Sequence, residues 1–599
     1  MKKLAFVFTI VVLLSGLLAG PALAQKGSLG QPPTYPDLPQ KYPNYILLVA
    51  EPTVTLNAEE KTATISFETA YPVPAVRAYY GPYMPEQVLE LPRFRRDAKE
   101  ELEEPSTTHS ITINLGKFEA EKYDVVKLAE TGRATIAYRL EIYDPKRLTT
   151  RFYDSRFTFE NYELVPTISE GPFVDMVTET GAVISWDTDV PTDGLVRVGV
   201  YDFESPAKMA THHEVEVSGL NPGQTYPYVV EVSDGTHTTR SREFSFQTVP
   251  LDATRFRFAI MSDSREGVGG GERAYNGVNY ETLNEFMIDA YNNGANFILF
   301  GGDLVNGYTT SVEDFKMQFE AWKDAVEPVG HYIPIYEGMG NHEIVMDVYD
   351  DGSKYGIEFD KVGEESAEAV FASQFVNPTN GPEPETEGAP PYKENVYYFD
   401  YGNSRFISVN TNYWWCNQPE QYGGNLEGYV MDGQLEWIKG VLADAAADPN
   451  IIHIFLFAHE PAFPNGGHLK DAQWYHGGDP EKNNGIDRTY VVERRDELWQ
   501  AISESGKAVA MFFGDEHNYN RTLIDAEVNP AFVNPVWQII SGGAGAPFYG
   551  WEKDTPWVNK VHFFSAQKNY CLITVDGDEV LLEVIGDADD VIDRMLLTQ

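Results

Sequence analysis

The amino-acid sequence predicts two antiparallel β-sandwiches on the N-terminal side, followed by one large layered α/β domain. Residues 45–160 and 165–250 consist of short β-rich runs that are broken by Pro, Gly and polar turns. From residue 254 to residue 599, runs typical of buried strands alternate with runs that have helical spacing. A chain of 599 residues also has room for several domains, at roughly 100–200 residues each.

The composition indicates several packed cores under a strongly acidic surface. Hydrophobic residues make up 42% of the chain and aromatic residues 13%, which excludes a disordered or fibrous protein. Asp plus Glu number 91 against 45 Lys plus Arg, so the formal net charge is −46. Because so acidic a surface repels phosphate backbones, we expect neither nucleic-acid binding nor charge-driven docking on anionic membranes.

The beginning of the chain indicates export. Two lysines precede a largely apolar run at residues 4–14, and residues 22–24 read Ala-Leu-Ala, as at a signal-peptide cleavage site. We therefore predict a signal peptide at residues 1–24 and a Pro-rich linker at residues 25–44. Since no later segment has the roughly 18 unbroken apolar residues of a membrane span, we expect a periplasmic or extracellular protein without integral membrane association.

The cysteine content leaves two alternatives open. Cys416 and Cys571 could form one disulfide in an oxidising compartment, or both could be buried free thiols. No group of cysteines has zinc-site spacing, so carboxylate, amide and imidazole groups would have to hold any metal.

The two β-rich segments look like copies of one unit. Residues 63–69 read Ala-Thr-Ile-Ser-Phe-Glu-Thr, and residues 182–188 read Ala-Val-Ile-Ser-Trp-Asp-Thr. Pro72 and Pro191 follow these runs at the same offset. This self-similarity is why we predict two tandem sandwiches.

The second copy also carries a family resemblance. It contains Gly-Pro-Phe-Val at residues 171–174, the strand with Trp186, and the run Val-Ser-Gly-Leu-Asn-Pro-Gly-Gln-Thr-Tyr at residues 217–226. With these features residues 165–250 resemble a fibronectin type III-like domain and, more narrowly, the N-terminal domain of purple acid phosphatases. The resemblance implies a spacer, or a module that contacts glycans or proteins.

The α/β domain is predicted from five strand-like runs with helices between them. The runs are residues 256–261, 296–300, 332–336, 451–458 and 508–513. Residues 280–292 and 312–326 have helical spacing. Residues 348–395 are acidic and rich in Pro and Gly, so we expect a surface excursion there.

Each of the five strand-like runs leads into residue types that bind metals. The clusters are Asp263-Ser264-Arg265, Gly301-Gly302-Asp303, Gly340-Asn341-His342-Glu343, Ala458-His459-Glu460-Pro461 and Gly514-Asp515-Glu516-His517. Because the carboxyl ends of strands at one edge of an open α/β sheet face a common crevice, residues distant in sequence can converge there. The five clusters in series therefore predict a metal centre.

This series resembles the calcineurin-like metallophosphoesterase superfamily, whose pattern is D-x-H, G-D, G-N-H-[DE], H and G-H-x-H. The resemblance covers residues 254–599 and implies a four-layer αββα fold. It also implies a phosphatase or phosphodiesterase, such as an acid phosphatase, that hydrolyses mono- or diesters of a small phosphorylated substrate, and the signal-peptide pattern makes us expect an exported one. In this superfamily two metals clamp the phosphoryl group and supply an activated hydroxide.

The same resemblance implies a role for individual residues. Asp303 matches the carboxylate that bridges the two metals. Asp263 and His517 would hold the first metal, and Asn341 and His459 the second.

Two further histidines receive roles on the substrate side. His342 would protonate the leaving group or stabilise the transition state, since a histidine pKa lies near working pH. His468 follows His459 at a distance where family members often place a substrate-side loop, so we expect it to contact substrate.

The sequence departs from the family pattern at two ligand positions. Arg265 stands where the first motif has His, and Asp515 stands where the last motif has its first His. An arginine cannot ligate a metal, so the first site loses a ligand and the centre is either binuclear or reduced to one metal. Asp515 can still ligate the second metal. We expect one or two ions chosen from Mn, Fe, Zn and Mg.

Two interpretations of Arg265 remain. It could be a catalytic clamp that binds the substrate phosphate bidentately. Alternatively, it could pair with Asp515 and fill the space of a metal, which would leave a catalytically impaired binding or adhesion protein. Three aspartates in one crevice, compensated by one arginine, favour the first interpretation because they call for a cation. Asn306 stands where purple acid phosphatases have their metal-binding Tyr, so no purple colour is expected.

Overall fold

The computed structural model describes residues 29–42, 46–83, 94–144, 148–265, 274–587 and 590–598. The predicted signal peptide lies outside the described residues. The described part of the predicted Pro-rich linker lies along the α/β domain. Gly30 N donates to Gly424 O at 2.9 Å, and Lys41 N donates to Val348 O at 2.8 Å.

The first β-rich segment forms two sets of paired strands that share one long strand. Its elements are β1 (Thr53–Asn57), β2 (Thr62–Pro82), β3 (Arg96–Asn114), helix α1 (Leu128–Thr131), β4 (Arg133–Asp144), β5 (Thr149–Glu160) and β6 (Glu163–Val165). The N-terminal half of β2 pairs with β1 and with the end of β3, and its C-terminal half pairs with β4 and with the start of β3. Buried residues from both halves, such as Ile65 and Tyr80, belong to one hydrophobic core.

The second β-rich segment repeats this arrangement. Its strands are β7 (Ile168–Asp175), β8 (Gly181–Val198), β9 (Tyr201–Glu204), β10 (Ala210–Ser218), β11 (Thr225–Ser233), β12 (Thr238–Arg240) and β13 (Phe244–Gln247). The N-terminal half of the long strand β8 pairs with β7 and β10, and its C-terminal half pairs with β9 and β11. The two matching runs, residues 63–69 and 182–188, thus lie at equivalent places, at the start of the long strand.

The C-terminal part contains strands and helices in alternation. In chain order the strands are β14 (Arg255–Met261), β15 (Ala274–Tyr275), β16 (Val278–Asn279), β17 (Phe297–Phe300), β18 (Ile335–Glu337), β19 (Met346–Tyr349), β20 (Ile357–Asp360), β21 (Tyr397–Tyr401), β22 (Ser404–Ser408), β23 (His453–Phe457), β24 (Ala508–Phe513), β25 (Tyr519–Ile524), β26 (Val536–Ser541), β27 (Val561–Ser565), β28 (Tyr570–Asp576), β29 (Glu579–Ile585) and β30 (Val591–Leu596). The helices are α2 (Tyr280–Asn292), α3 (Val312–Gly330), α4 (Ala367–Phe371), α5 (Pro419–Tyr422), α6 (Asp432–Ala447) and α7 (Thr489–Glu504).

Thirteen of these strands form two mixed sheets that face each other, whereas β15 and β16 extend the sheet of the first β-rich segment next to β5, and β19 and β20 form a separate two-stranded sheet. One sheet has the order β18-β17-β14-β28-β29-β30, and the other has the order β21-β22-β23-β24-β26-β25-β27. Phenylalanines close the space between them. The ring centroids of Phe258 and Phe455 lie 5.2 Å apart, and those of Phe297 and Phe406 lie 5.1 Å apart. Helices α2 and α3 pack on the outer face of the first sheet, and α6 and α7 pack on the outer face of the second.

Helix α3 also joins the α/β domain to both β-rich segments. Arg156 of β5 makes two hydrogen bonds of 3.0 Å to the carboxylate of Glu327. Lys323 forms an ion pair with Glu170 of β7. A cavity of about 710 Å³ lies between these elements. All three parts of the chain are therefore in direct contact.

The prediction of a surface excursion at residues 348–395 is wrong for much of that segment. Phe359, Phe371 and Phe375 are almost fully buried, and the ring of Phe375 packs edge-on against that of Phe319 in α3 at 5.1 Å. The prediction failed because it rested on the acidic and Pro/Gly-rich composition of the segment and not on its apolar residues, which complete a core.

The structure decides between the two cysteine alternatives. Cys416 and Cys571 are both buried free thiols, and burial raises the pKa of each thiol to about 12. Among the described residues, none of the helices combines the length and the apolarity that a membrane crossing requires.

Candidate metal centre

The five predicted clusters meet at one edge of the two facing sheets. Asp263 follows β14, Asp303 follows β17 and Asn341 follows β18, while His459 and Asp515 follow β23 and β24 of the other sheet. Neighbouring parallel strands end side by side, so loops far apart in sequence deliver their side chains to the same place. All five residues are buried.

The centre of the site is formed by Asp263, Asp303 and His459. One ligand atom from each of the three lies within 4.8 Å of the others. His459 Nε2 lies 3.1 Å from Asp303 Oδ1 and 3.9 Å from Asp263 Oδ1. His459 Nδ1 donates to Gly301 O at 2.9 Å. That hydrogen bond holds the ring so that Nε2 points at the two carboxylates, as in a histidine metal ligand.

Several ligand-type atoms in the site lack hydrogen-bond partners. Asp263 Oδ2, Asn341 Oδ1, His459 Nε2 and Asp515 Oδ2 are buried with no hydrogen-bond partner among the described residues. Leaving a buried polar atom unsatisfied costs about 1–3 kcal/mol. Carboxylate, amide and imidazole donors together suit Mn, Fe, Mg or Zn. The donor set present here therefore fits a divalent metal ion.

The backbone of the site is held in an unusual conformation. Asp263, Asp303 and Asp515 all have positive φ, at 67°, 53° and 64°, in the left-handed region that disfavours residues with a Cβ atom. Gly302 has φ 94°, and a Cβ atom there would lie 2.6 Å from Gly340 N. Such strain persists where the surrounding structure imposes it, and here it turns three carboxylates into one crevice.

Glu343 connects two of the site loops. Its Oε2 accepts hydrogen bonds from Asp303 N at 2.8 Å and from Gly340 N at 2.7 Å. Burial raises the pKa of Glu343 to about 8, and the nearby Asp303 adds to the rise. Sequence reasoning quoted Glu343 within its motif but assigned it no role.

Arg265 lies among the residues predicted to hold the first metal. Its Nε donates to Asp303 Oδ2 at 3.1 Å, and its Nη2 lies 3.3 Å from His517 Nε2. His517 Nε2 in turn lies 3.4 Å from Asp263 Oδ1. The guanidinium group therefore brings a positive charge to the place where the ligands of the first metal would converge.

The structure does not support the alternative in which Arg265 pairs with Asp515, because the two side chains contact different residues. Arg265 contacts Asp303, whereas Asp515 Oδ2 lies 3.2 Å from His468 Nδ1. The other carboxylate oxygen of Asp515 lies 4.0 Å from His459 Nε2. His468, predicted to contact substrate, is thus beside a predicted metal ligand.

Two acidic residues near His468 were missed by sequence reasoning. Ligand atoms of Glu427, His468 and Asp471 lie within 4.8 Å of one another, and Asn341 Nδ2 donates to Glu427 Oε1 at 3.4 Å. The His-x-x-Asp spacing of His468 and Asp471 could have indicated the second of these residues. Glu427 stands alone in a loop, and no local pattern indicates it.

His342 lies at the rim of the centre. Its Nδ1 donates to Asn306 O at 2.7 Å, which leaves Nε2 facing Asp303 Oδ2 at 3.9 Å. Burial, and then the charge of Arg265, lower the pKa of His342 to about 3. The neutral imidazole accepts a proton at Nε2 rather than donating one. The predicted role of His342 as an acid therefore requires a change in the surrounding charges that raises its pKa.

Residues 256–519 match the family model for calcineurin-like phosphoesterase. The crystal structure of a dimetal phosphatase from Danio rerio is similar with 13% sequence identity and a TM-score of 0.35, and the match covers 57% of this chain and 98% of that one. The central fibronectin-III array of RIM-binding protein is similar with 14% identity and a TM-score of 0.17, covering 35% of this chain and 75% of that one. No curated protein sequence matches the chain.

The family match includes all five clusters at the strand ends, and it confirms the resemblance drawn from their motifs. The chain therefore contains, over residues 256–519, a calcineurin-like metallophosphoesterase domain.

Proposed function

We propose that this protein is an exported, metal-dependent phosphoesterase that hydrolyses mono- or diesters of a small phosphorylated substrate. The observation that carries the proposal is the set of four buried ligand atoms on Asp263, Asn341, His459 and Asp515 that have no hydrogen-bond partner among the described residues. They lie at strand ends within the family match, where calcineurin-like phosphoesterases place their motifs.

The residues that would hold a metal are Asp263, Asp303, Asn341, His459 and Asp515. A bound divalent ion polarises a phosphoryl group and lowers the pKa of water. The backbone N–H of His342 donates to Asp303 Oδ1 at 3.0 Å, which fixes the orientation of the Asp303 carboxylate.

Arg265 would act beside the metal. Its fork of N–H groups can bind phosphate oxygens bidentately, and its contact with Asp303 already holds it at the centre. Neutral His342 presents Nε2 on the same side and can accept a proton there. His517 is held by the hydrogen bond of its Nδ1 to Pro547 O, which leaves Nε2 toward Asp263 and Arg265.

The proposal extends to the architecture. Two facing sheets with helices on both outer faces support a four-layer αββα domain over residues 254–599. In each β-rich segment, one long strand belongs to two sets of paired strands, which supports the predicted sandwiches at residues 45–160 and 165–250. We propose that the second unit is fibronectin type III-like and purple acid phosphatase-like. Export rests on the signal-peptide pattern of residues 1–24.

A second function follows from Arg265. Because its guanidinium contacts both Asp303 and His517, the protein could be a catalytically impaired phosphoesterase-like binding or adhesion protein. Its β-sandwiches would then contact glycans or proteins.

Hydrolysis of p-nitrophenyl phosphate and bis(p-nitrophenyl) phosphate, with Mn²⁺, Fe²⁺ or Zn²⁺, separates the two functions. The proposal expects metal-dependent turnover that falls about a hundredfold or more in His459→Asn. The double variant Arg265→His with Asp515→His restores the family pattern. Higher turnover in that variant than in the wild type would favour the impaired protein, and lower turnover would favour the enzyme.

A further inference from the structure

Beyond the centre that the family motifs form, a second group of ligand-type side chains lies beside it. We propose that Glu427, His468 and Asp471 hold a second divalent cation, with Asp515 as the carboxylate shared between the two ions. This inference rests on the proposed function. It deepens that function by giving the second ion ligands other than the residues that contact Arg265.

The first argument is the spacing of the donors. One ligand atom from each of Glu427, His468 and Asp471 lies within 4.8 Å of the others, and His468 Nδ1 lies 3.1 Å from Asp471 Oδ1. Ligands about 2.1 Å from a metal ion are separated by about 3.0–4.2 Å from one another. The three side chains are therefore already close to the separations that one ion requires.

The second argument is the direction of Asp515, which is independent of that spacing. Asp515 is 2% exposed, and its Oδ2 is buried without a hydrogen-bond partner among the described residues. That oxygen lies 3.2 Å from His468 Nδ1, whereas Oδ1 lies 4.0 Å from His459 Nε2. One oxygen thus faces each group, which is how a bridging carboxylate is arranged.

The third argument is that Arg265 has taken the first metal position. Asp303 Oδ2 accepts a hydrogen bond from Arg265 Nε at 3.1 Å. Because the guanidinium group stays protonated, it keeps its positive charge beside this oxygen. His517 Nε2 is beside the same guanidinium. A two-ion centre in this chain therefore needs its second ion on another side, and Asp515 opens toward the only such group found among the described residues.

The fourth argument is the type of donor. Glu427, Asp471 and Asp515 place three carboxyl groups around one imidazole. Three carboxylate oxygens and one imidazole nitrogen are donors that suit Mn²⁺. The competing arrangement without an ion is a protonated His468 held between Asp471 and Asp515, and the experiment below separates the two.

The test is the Mn²⁺ content of the purified full-length mature chain. The protein is stripped with chelator, equilibrated with Mn²⁺, desalted and measured by elemental analysis. The variant is Glu427→Gln with Asp471→Asn. The matched control is Glu481→Gln with Asp554→Asn, which changes two exposed acidic residues outside the proposed site.

The proposal expects about two Mn²⁺ per chain in the wild type and in the control, and about one in the variant. Asp471→Asn alone should weaken binding of the second Mn²⁺ about tenfold or more in a calorimetric titration. This milder change keeps the test valid if the double variant fails to fold, because Asp471 is partly exposed.

Three results would overturn the proposal, and they are distinguishable. One Mn²⁺ in both wild type and variant would remove the second site but leave the proposed function standing. Two Mn²⁺ in the variant would place the second ion elsewhere. No Mn²⁺ in the wild type, and no Fe²⁺ or Zn²⁺ after the same equilibration with those ions, would defeat the proposed function itself.

Discussion

Replacing Arg265 with alanine should destabilise the metal-free protein, and a metal should reverse much of the loss. Arg265 Nε lies 3.1 Å from Asp303 Oδ2, in a pair whose side chains are 11% and 1% exposed. Removing one partner of a buried ion pair typically costs about 3–5 kcal/mol. Because Asp303 keeps a hydrogen bond from the backbone of His342 and its contact with His459, we expect the lower end, about 3 kcal/mol.

The assay is thermal unfolding of wild type and Arg265→Ala, with and without Mn²⁺. At roughly 2 °C per kcal/mol for a large domain, Tm should fall by roughly 6 °C without metal. Mn²⁺ should raise Tm more in the variant than in the wild type, since an ion can then take the place of the guanidinium beside Asp303.

The matched control is Arg255→Ala. Arg255 pairs with Asp576 at 3.6 Å, but the two side chains are 75% and 57% exposed, so its loss should cost less than about 1 kcal/mol. Equal Mn²⁺ effects on Tm in wild type and Arg265→Ala would refute the view that the guanidinium occupies a metal position. So would a Tm loss no larger than that of the control.

Three further predictions concern the loops and the pH response. Gly302→Ala should lower Tm more than Gly235→Ala, because both have strongly positive φ but only a Cβ at 302 meets backbone atoms within 3 Å; equal losses would show that the close approach does not matter. Glu343→Gln should weaken Mn²⁺ binding about 10–100-fold by calorimetry, since one oxygen of the Glu343 carboxyl group accepts hydrogen bonds from two site loops; unchanged affinity would contradict that role. Burial raises the pKa of Asp175 from 3.8 to about 7, so the folded state favours the neutral form and loses about 4 kcal/mol as pH rises from about 4 to 7. Because the variant Asp175→Asn has no carboxyl group at this position, its Tm should fall less than that of the wild type between pH 5 and pH 8. Equal falls in Tm would contradict the raised pKa of Asp175.

Periodicity and strand-end logic predicted the framework of the α/β domain. The helix expected at residues 280–292 and the strand expected at residues 508–513 occur with those bounds, because the helix has apolar residues at helical spacing and the strand is an unbroken apolar run. The helix expected at 312–326 continues to Gly330, since Val329 still packs into the same core. Element ends depend on such contacts, which local patterns do not contain.

The convergence of the five clusters was also predictable, but their individual contacts were not. Each cluster follows a strand, and neighbouring strands end together, so proximity follows from topology alone. The partners of Arg265 depend on the conformation of its long side chain in the folded protein, which the sequence does not specify. Glu427 enters the site from a loop without any motif, and its contact with Asn341 joins residues 86 positions apart. Only the folded chain shows these contacts.

The central claim is that the crevice holds metal, and metal content tests it most directly. The full-length mature chain would be equilibrated with Mn, Fe and Zn and analysed beside Asp303→Asn. We expect one or two tightly held ions per wild-type chain and fewer in the variant, because Asp303 lies at the middle of the donor set. An absence of bound metal in the wild type would contradict the account and turn attention to partners of the β-sandwiches.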